Sequence, residues 1–139
     1  MTETTNAATA RPAPHPSPLT QPYWDGAAAG VLRVQQCGQC GKLRHYPRYI
    51  CDACHSFDVT WKDCSGQGTV HSWMIAHHPF HPGFKEDLPY TLVVVDLAEG
   101  VRAMGRFPTG ADLRLGLKVK LGFWQSEGFS LPCFTPDED

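Results

Sequence analysis

Residues 37–54 read CGQCGKLRHYPRYICDAC, two Cys-x2-Cys pairs with ten residues between them. A tight Cys-x2-Cys turn aims both sulfurs the same way, so two such turns can surround one tetrahedral zinc ion with four thiolates. Gly38 and Gly41 give the first turn the backbone freedom to bring amides close to sulfur; the second turn, Cys51-Asp52-Ala53-Cys54-His55, has no such glycine. The rival readings are two small disulfides or a redox motif. A redox Cys-x2-Cys uses one pair that opens a helix, and the stretch containing Pro47 and Arg48 fits neither rival. The spacing therefore predicts a zinc ribbon held by Cys37, Cys40, Cys51 and Cys54. With four cysteine ligands the metal has no open position for water, so the zinc is expected to be structural and to catalyse nothing.

The chain has 139 residues, 42% of them hydrophobic and 19% charged, with a formal net charge of −2. That size suits one small domain, or a module plus one domain; the larger part can bury enough surface to fold without metal, while a ribbon cannot. The charge gives no case for tight nonspecific nucleic-acid binding. The N-terminus, MTETTNAATARPAPHPSP, has no apolar signal region, and no run of about 18 uncharged apolar residues occurs, so a soluble, cytoplasmic chain is expected. Cys64 and Cys133 lie outside the ribbon pattern and are expected to be small residues in or near the core.

Composition divides the chain into segments. Residues 1–18, rich in Ala, Thr and Pro, are expected to form a disordered arm. Residues 19–30 predict a short helix capped by Thr20, with Pro22 in its first turn, Tyr23 and Trp24 on its surface and Gly30 as its stop. Tyr23 and Trp24 are expected to pack either on the chain's own domain or on a partner. Residues 31–62 hold the ribbon, entered by Val31–Val34 and left by Phe57–Trp61, residues 63–135 read as strands and turns, and residues 136–139 are an acidic tail.

In the strand-rich part, Thr69–Ala76 carries apolar residues on both faces, which predicts burial on both sides. Tyr90–Leu97 is nearly all β-branched or aromatic. Glu99-Gly100 turns the chain into Val101–Phe107, and Glu127-Gly128 joins Leu117–Trp124 to Phe129–Phe134. Five short strands without long helices between them predict a small five-stranded antiparallel barrel. The inward set on two of these strands is Val93, Val95, Val119 and Leu121, by strand alternation.

The order of several motifs carries a resemblance. They are Gln21-Pro22-Tyr23-Trp24, the four-cysteine ribbon with Pro47-Arg48 between its pairs, Trp61, Gly66-Gln67-Gly68-Thr69-Val70, Pro89-Tyr90, Asp96 to Arg102, and Leu115 to Val119. From about residue 20 to 135 the chain resembles the family catalogued as domain of unknown function thirty-five, a rubredoxin-like zinc ribbon joined to an OB-fold. Ala98 stands where many relatives have an acidic residue. The resemblance implies a mainly β fold and a non-catalytic accessory subunit. Its partners would be thiolase-superfamily enzymes, that is thiolases, acyltransferases or lipid-transfer-protein-like aldolases, and the complex would share an acyl-CoA site.

Basic residues cluster in two places, five against two acidic in residues 31–62 and five against one in residues 101–120. Lys42, Arg44 and Arg48 are candidate contacts to the phosphates of CoA, with ordinary solvated surface as the alternative. Four of the seven histidines lie in the stretch from His71 to Phe84. His77, His78 and His81 are candidates for a partner-facing loop rather than a second metal site, since the nearby acids Glu86 and Asp87 lie in a Pro/Gly-rich loop. His45 and His55 lie near the ribbon cysteines but are not needed as ligands. No nucleophile elbow, phosphate loop or acid/base pair is recognisable. Besides the accessory subunit, two other classes remain open: a nucleic-acid-binding ribbon/OB-fold module, and a stand-alone enzyme using the histidine loop.

Overall fold

The computed structural model describes residues 10–137. One helix, α1 (Gln21–Ala28), precedes a three-stranded sheet of β1 (Arg33–Cys37), β2 (Leu43–Arg44) and β3 (Val59–Asp63), in the order β2-β1-β3. The chain then forms a closed barrel from β4 (Gln67–Ala76), β5 (Tyr90–Leu97), β6 (Arg102–Phe107), β7 (Lys118–Ser126) and β8 (Phe129–Pro136), in the order β4-β5-β6-β8-β7. A 3-10 helix, Pro82–Asp87, lies in the β4–β5 connection.

The barrel is antiparallel at every neighbouring pair but one. β6 and β8 run parallel, meeting at Arg106↔Cys133. The expectation of a wholly antiparallel barrel needs this correction for a geometric reason: strand direction cannot alternate around a closed ring of an odd number of strands.

Alternation decides which side chains fill the barrel. In β5 every second residue is buried, including Val93 and Val95, and Val119 joins them from β7. Leu121 packs against this cluster but is only partly buried. Glu127 and Gly128, both at positive φ, make the two-residue turn between β7 and β8, a geometry that suits the right-handed twist of paired strands.

β4 departs from its expected burial on both sides. Its register shifts between Val70 and Ser72, and it pairs with β7 only over Gln67–Thr69, so its second half is bonded to β5 alone. His71 to Ile75 are consequently exposed, Trp73, Met74 and Ile75 among them.

Thr20 precedes α1 but does not cap it with its side chain. Its own backbone is already helical, and its Oγ1 accepts from the Ser17 amide at 2.9 Å instead. At the other end Val31 N–H donates to Gly26 and Gly30 N–H to Ala27, closing the last turn with two reversed bonds. Residues 1–9 of the expected arm and residues 138–139 of the acidic tail lie outside the described residues. From residue 10 the arm runs against the barrel, because Arg11 finds Asp87 with a two-pronged ion pair at 2.7 and 2.8 Å.

Helix α1 joins the two sheets. Tyr23 is 8% exposed and packs with Leu32 and Val34 of the ribbon and with the barrel interior in one continuous apolar cluster. Trp24 meets the ring of Phe129 at 5.4 Å, edge to face. Of the two expectations for this pair, packing on the chain's own domain is the one seen, and the Tyr23 ring is not free for a partner. Cys64 also belongs to this cluster, and burial pushes its thiol up to about 11.

Val95 is fully buried in this cluster. Val95→Asp should cost about 4 kcal/mol or more by placing an unpaired charge there. Chemical denaturation measures it, and a variant as stable as the parent would contradict the register of β5.

Candidate functional site

Each cysteine pair is built as a turn whose amides point at sulfur. In the first, the N–H groups of Gln39 and Cys40 both lie 3.4 Å from Cys37 Sγ, and Gly41 N–H closes the turn on the Cys37 carbonyl. In the second, Ala53 N–H lies 3.4 Å from Cys51 Sγ and His55 N–H closes on the Cys51 carbonyl. Gly41 and His55 hold the same place after their pairs, at φ of 80° and 64°. The second turn thus uses the same left-handed geometry without glycine, at a cost of about 1–2 kcal/mol.

The four sulfurs lie within 4.8 Å of one another. Cys37 and Cys54 are separated by 3.6 Å, Cys40 and Cys51 by 3.7 Å. A tetrahedron with Zn–S bonds of about 2.3 Å has edges of about 3.8 Å, so the spacing suits one ion, whereas a disulfide would need about 2.05 Å. The thiols also show why a cation belongs there. The amides of Cys40 and then Gln39 hold Cys37 down to about 6, and Cys51 is lowered by the amides of Cys54 and Ala53. The Ser56 amide pulls Cys54 down, but desolvation and sharing with the sulfurs of Cys37, Cys40 and Cys51 together push it up to about 12. Four thiolates this close coexist only around a positive ion. The zinc is structural, closed by four cysteines.

The loop between the two turns is fixed by a residue with no motif to mark it. Gln35 on β1 is completely buried, and its Oε1 accepts from Arg44 Nε at 2.7 Å and from Arg48 N–H at 2.8 Å. Arg44 is only 4% exposed and also donates to the Arg48 carbonyl at 3.1 Å. It is therefore a strut of the ribbon rather than a solvent-facing contact, which corrects its expected role as a direct ligand residue. Lys42 is exposed and paired with Asp52 at 2.8 Å across the two turns, and the Arg48 side chain remains at the surface. Lys42, Arg44 and Arg48 do line one cleft of about 360 Å3 where the ribbon meets the β5–β6 hairpin. Asp52, Asp96 and Arg102 share it, with Arg102 bonded to Asp96 at 2.6 Å.

His45 and Tyr46 lock this seam. The Tyr46 Oη accepts from the Met104 amide of β6 at 3.1 Å, and the His45 ring lies between Tyr23 and Tyr46. Burial holds His45 down to about 4.

The other histidines are spread out. His71 pairs with Asp96 at 3.3 Å, and His81 Nδ1 accepts from Gly83 N–H, capping the 3-10 helix. His77 and His78 are exposed, and His78 meets the edge of Phe80 at 4.9 Å. Among the described residues the only cluster of three or more metal-ligating side chains is the cysteine set. Exposed apolar residues gather on the ribbon tip, where Tyr49 is 71% and Phe57 72% exposed, and along β4 to Phe80, at 74%.

Metal analysis of freshly purified protein should find about one zinc per chain, and Cys40→Ser or Cys51→Ser should lose both metal and solubility, since such a site supplies on the order of 10 kcal/mol of folding free energy. A substoichiometric result without chelation would contradict the site. His45 gives a separate test. Its folded pKa lies below the unfolded one, so protonation opposes folding: there is no penalty above about pH 6.5, and stability falls as pH drops from there toward 4. In NMR its ring should stay neutral down to about pH 5, and a titration centred near 6.5 would contradict its burial.

Comparison with known proteins follows the two parts of the fold. Residues 24–60 match the model of the ChsH2 rubredoxin-like zinc ribbon domain, and residues 61–123 match that of the ChsH2 C-terminal OB-fold domain. The chain is 34% identical over 117 residues to a probable enoyl-CoA hydratase alpha subunit of Thermomonospora curvata, covering 82% of this chain but 36% of that protein. It is 34% identical over 72 residues to a DUF35 domain-containing scaffold protein of Methanothermobacter thermautotrophicus, 51% of this chain and 53% of that one. The chain thus spans about a third of one of these relatives and half of the other. A solved structure described as an Ltp2-ChsH2(DUF35) aldolase superposes with a TM-score of 0.79 at 32% identity, covering 89% of this chain and 98% of that one. The chain belongs to the DUF35 family, in the form that carries the ChsH2 zinc ribbon followed by the ChsH2 OB-fold.

Proposed function

We propose that this chain is a non-catalytic accessory subunit that binds a thiolase-like or aldolase-like enzyme and helps to form its acyl-CoA site. The observation that carries the reading is the pairing of a closed metal centre with exposed apolar residues on the same ribbon. The zinc has no position left for a substrate, so the ribbon organises structure, and the structure it organises displays Tyr49, Ile50 and Phe57 to solvent. Such residues are stable at a surface that a partner covers. The description of a relative as a scaffold protein, and of the solved neighbour as an aldolase of two named components, supports the same reading.

The cleft at the ribbon–barrel seam suits the phosphate end of a CoA thioester. Lys42, Arg48 and Arg102 stand around it, with Arg44 beneath them holding the Arg48 backbone in place. Because Lys42 and Arg102 already have carboxylate partners, their contribution is mainly electrostatic steering, and Arg48 is the more direct contact. A nucleic-acid module would instead need a net basic groove lined with stacked exposed aromatics. Of the barrel's aromatics, Tyr90 and Trp124 each carry the Arg106 guanidinium over the ring, at 4.3 and 4.7 Å, and the chain's net charge is −2.

The test begins with co-expression of the chain and the genes beside its own, followed by purification. The enzyme partner should co-purify and lose activity or solubility without this chain. In the complex, Lys42→Ala with Arg48→Ala should raise KM for the acyl-CoA severalfold with little change in kcat, and added salt should reduce the difference. Turnover of an acyl-CoA by the isolated chain would overturn the accessory reading. An unchanged KM would remove the seam from the ligand site.

A further inference from the structure

A second cleft, of about 280 Å3, is lined by residues of β5, β6, β7 and β8 together with Tyr46 of the ribbon loop and Phe84 of the β4–β5 connection. Its lining is apolar and largely aromatic: Tyr46, Phe84, Tyr90, Leu92, Trp124 and Leu131. This is the face that OB-folds use for ligands, the second and third strands of the barrel flanked by the loops that follow the first and the fourth.

One charged group belongs to the lining. Arg106 is sandwiched between Tyr90 and Trp124, which fixes its guanidinium in the wall of the cleft. Asp87 is its carboxylate partner, but only through one nitrogen at 3.1 Å, because both oxygens of Asp87 already accept from Arg11 at 2.7 and 2.8 Å. Two guanidinium groups thus share one carboxylate. The two arginines hold the Asp87 carboxyl below its ordinary range, Arg11 contributing most, and Arg106 retains donors with no other protein partner among the described residues. Glu127 acts on Arg11, at the outer side of the network.

We propose that this cleft binds the apolar group of a small carboxylate or acyl compound, with a carboxylate or carbonyl oxygen of the ligand accepting from Arg106. The aromatic walls suit a ring or a short branched chain, and the volume, at the low end for small-molecule pockets, admits one such group and little more. The Arg106 guanidinium donates a stronger, charge-assisted bond to an oxygen bearing negative charge than to a neutral hydroxyl. The acyl identity rests on the accessory-subunit reading above, whereas the preference for an apolar carboxylate rests on the cleft alone.

The test uses the full chain with its zinc, methyl NMR, and cyclohexanecarboxylate as the probe. The methyl signals of Leu92, Met104 and Leu131 should shift saturably, with a dissociation constant of about 1 mM, the scale of a ring-sized ligand held by one charged contact. Cyclohexanemethanol, the neutral analogue, should bind about fivefold more weakly or worse, and Arg106→Gln should bring the two within about twofold. Leu131→Trp, which fills the cleft, should abolish both. Tighter binding of cyclohexanecarbonyl-CoA at the same residues supports the proposal with a thioester as the source, and binding of the acid alone supports it with a free acid as the source. Absence of saturable shifts at these residues, or equal binding of acid and alcohol to the unaltered chain, overturns it. Neither depends on the enzyme partner, so such a failure leaves the accessory reading to its own co-purification test.

Discussion

Four thiolates placed 3.6 to 3.7 Å apart in pairs can share that space only around a cation, and most of the structure before the barrel depends on this. The ribbon between residues 37 and 54 has almost no apolar interior of its own; its buried members there are Cys37, Cys51 and Arg44. Folding free energy that a larger domain draws from its core comes here from the metal. What the metal fixes is a loop with chemical content. Arg44 and the Arg48 backbone converge on one oxygen of Gln35, and Tyr46 is carried to the edge of β6.

The ribbon is not a free module attached to a barrel. Tyr23, Leu32 and Val34 belong to the same apolar cluster as Val93, Val95 and Phe134, and α1 touches both β1 and β8. Interfaces between independent domains are more polar and smaller in their apolar share than a common core of this kind. Both clefts are lined by residues of the ribbon and of the barrel, so their shape is set by how the two parts dock. The accessory role proposed above would gain from this arrangement, because positional precision at a binding surface requires supports that do not shift.

Much of this was legible in the sequence where a local rule applied. The two Cys-x2-Cys pairs determine the ribbon, the β-branched run Tyr90–Leu97 coincides with β5, and the turns at Glu99-Gly100 and Glu127-Gly128 separate the strands they were expected to separate. Features that depend on distant pairing were not legible. The exposed half of β4 follows from how little of it β7 covers, and the alternation of its side chains holds no trace of that. Lys42, Arg44 and Arg48 look alike as letters, yet Arg44 turns inward because Gln35 stands opposite it in the register of β1 and β2. Gln35 itself gave no signal beyond being a polar residue within a strand. The network of Arg11, Asp87 and Arg106 joins residues up to 95 positions apart, which no local pattern encodes.

The central claim, that one zinc ion holds the ribbon and through it the seam with the barrel, is tested most directly by amide hydrogen exchange with and without a strong chelator. The account predicts that metal removal exposes the amides of residues 37–56 and also that of Met104, whose partner is Tyr46, while the amides of Val93 and Val95 inside the barrel stay protected longer. Ribbon amides that kept their protection after complete loss of zinc would contradict it.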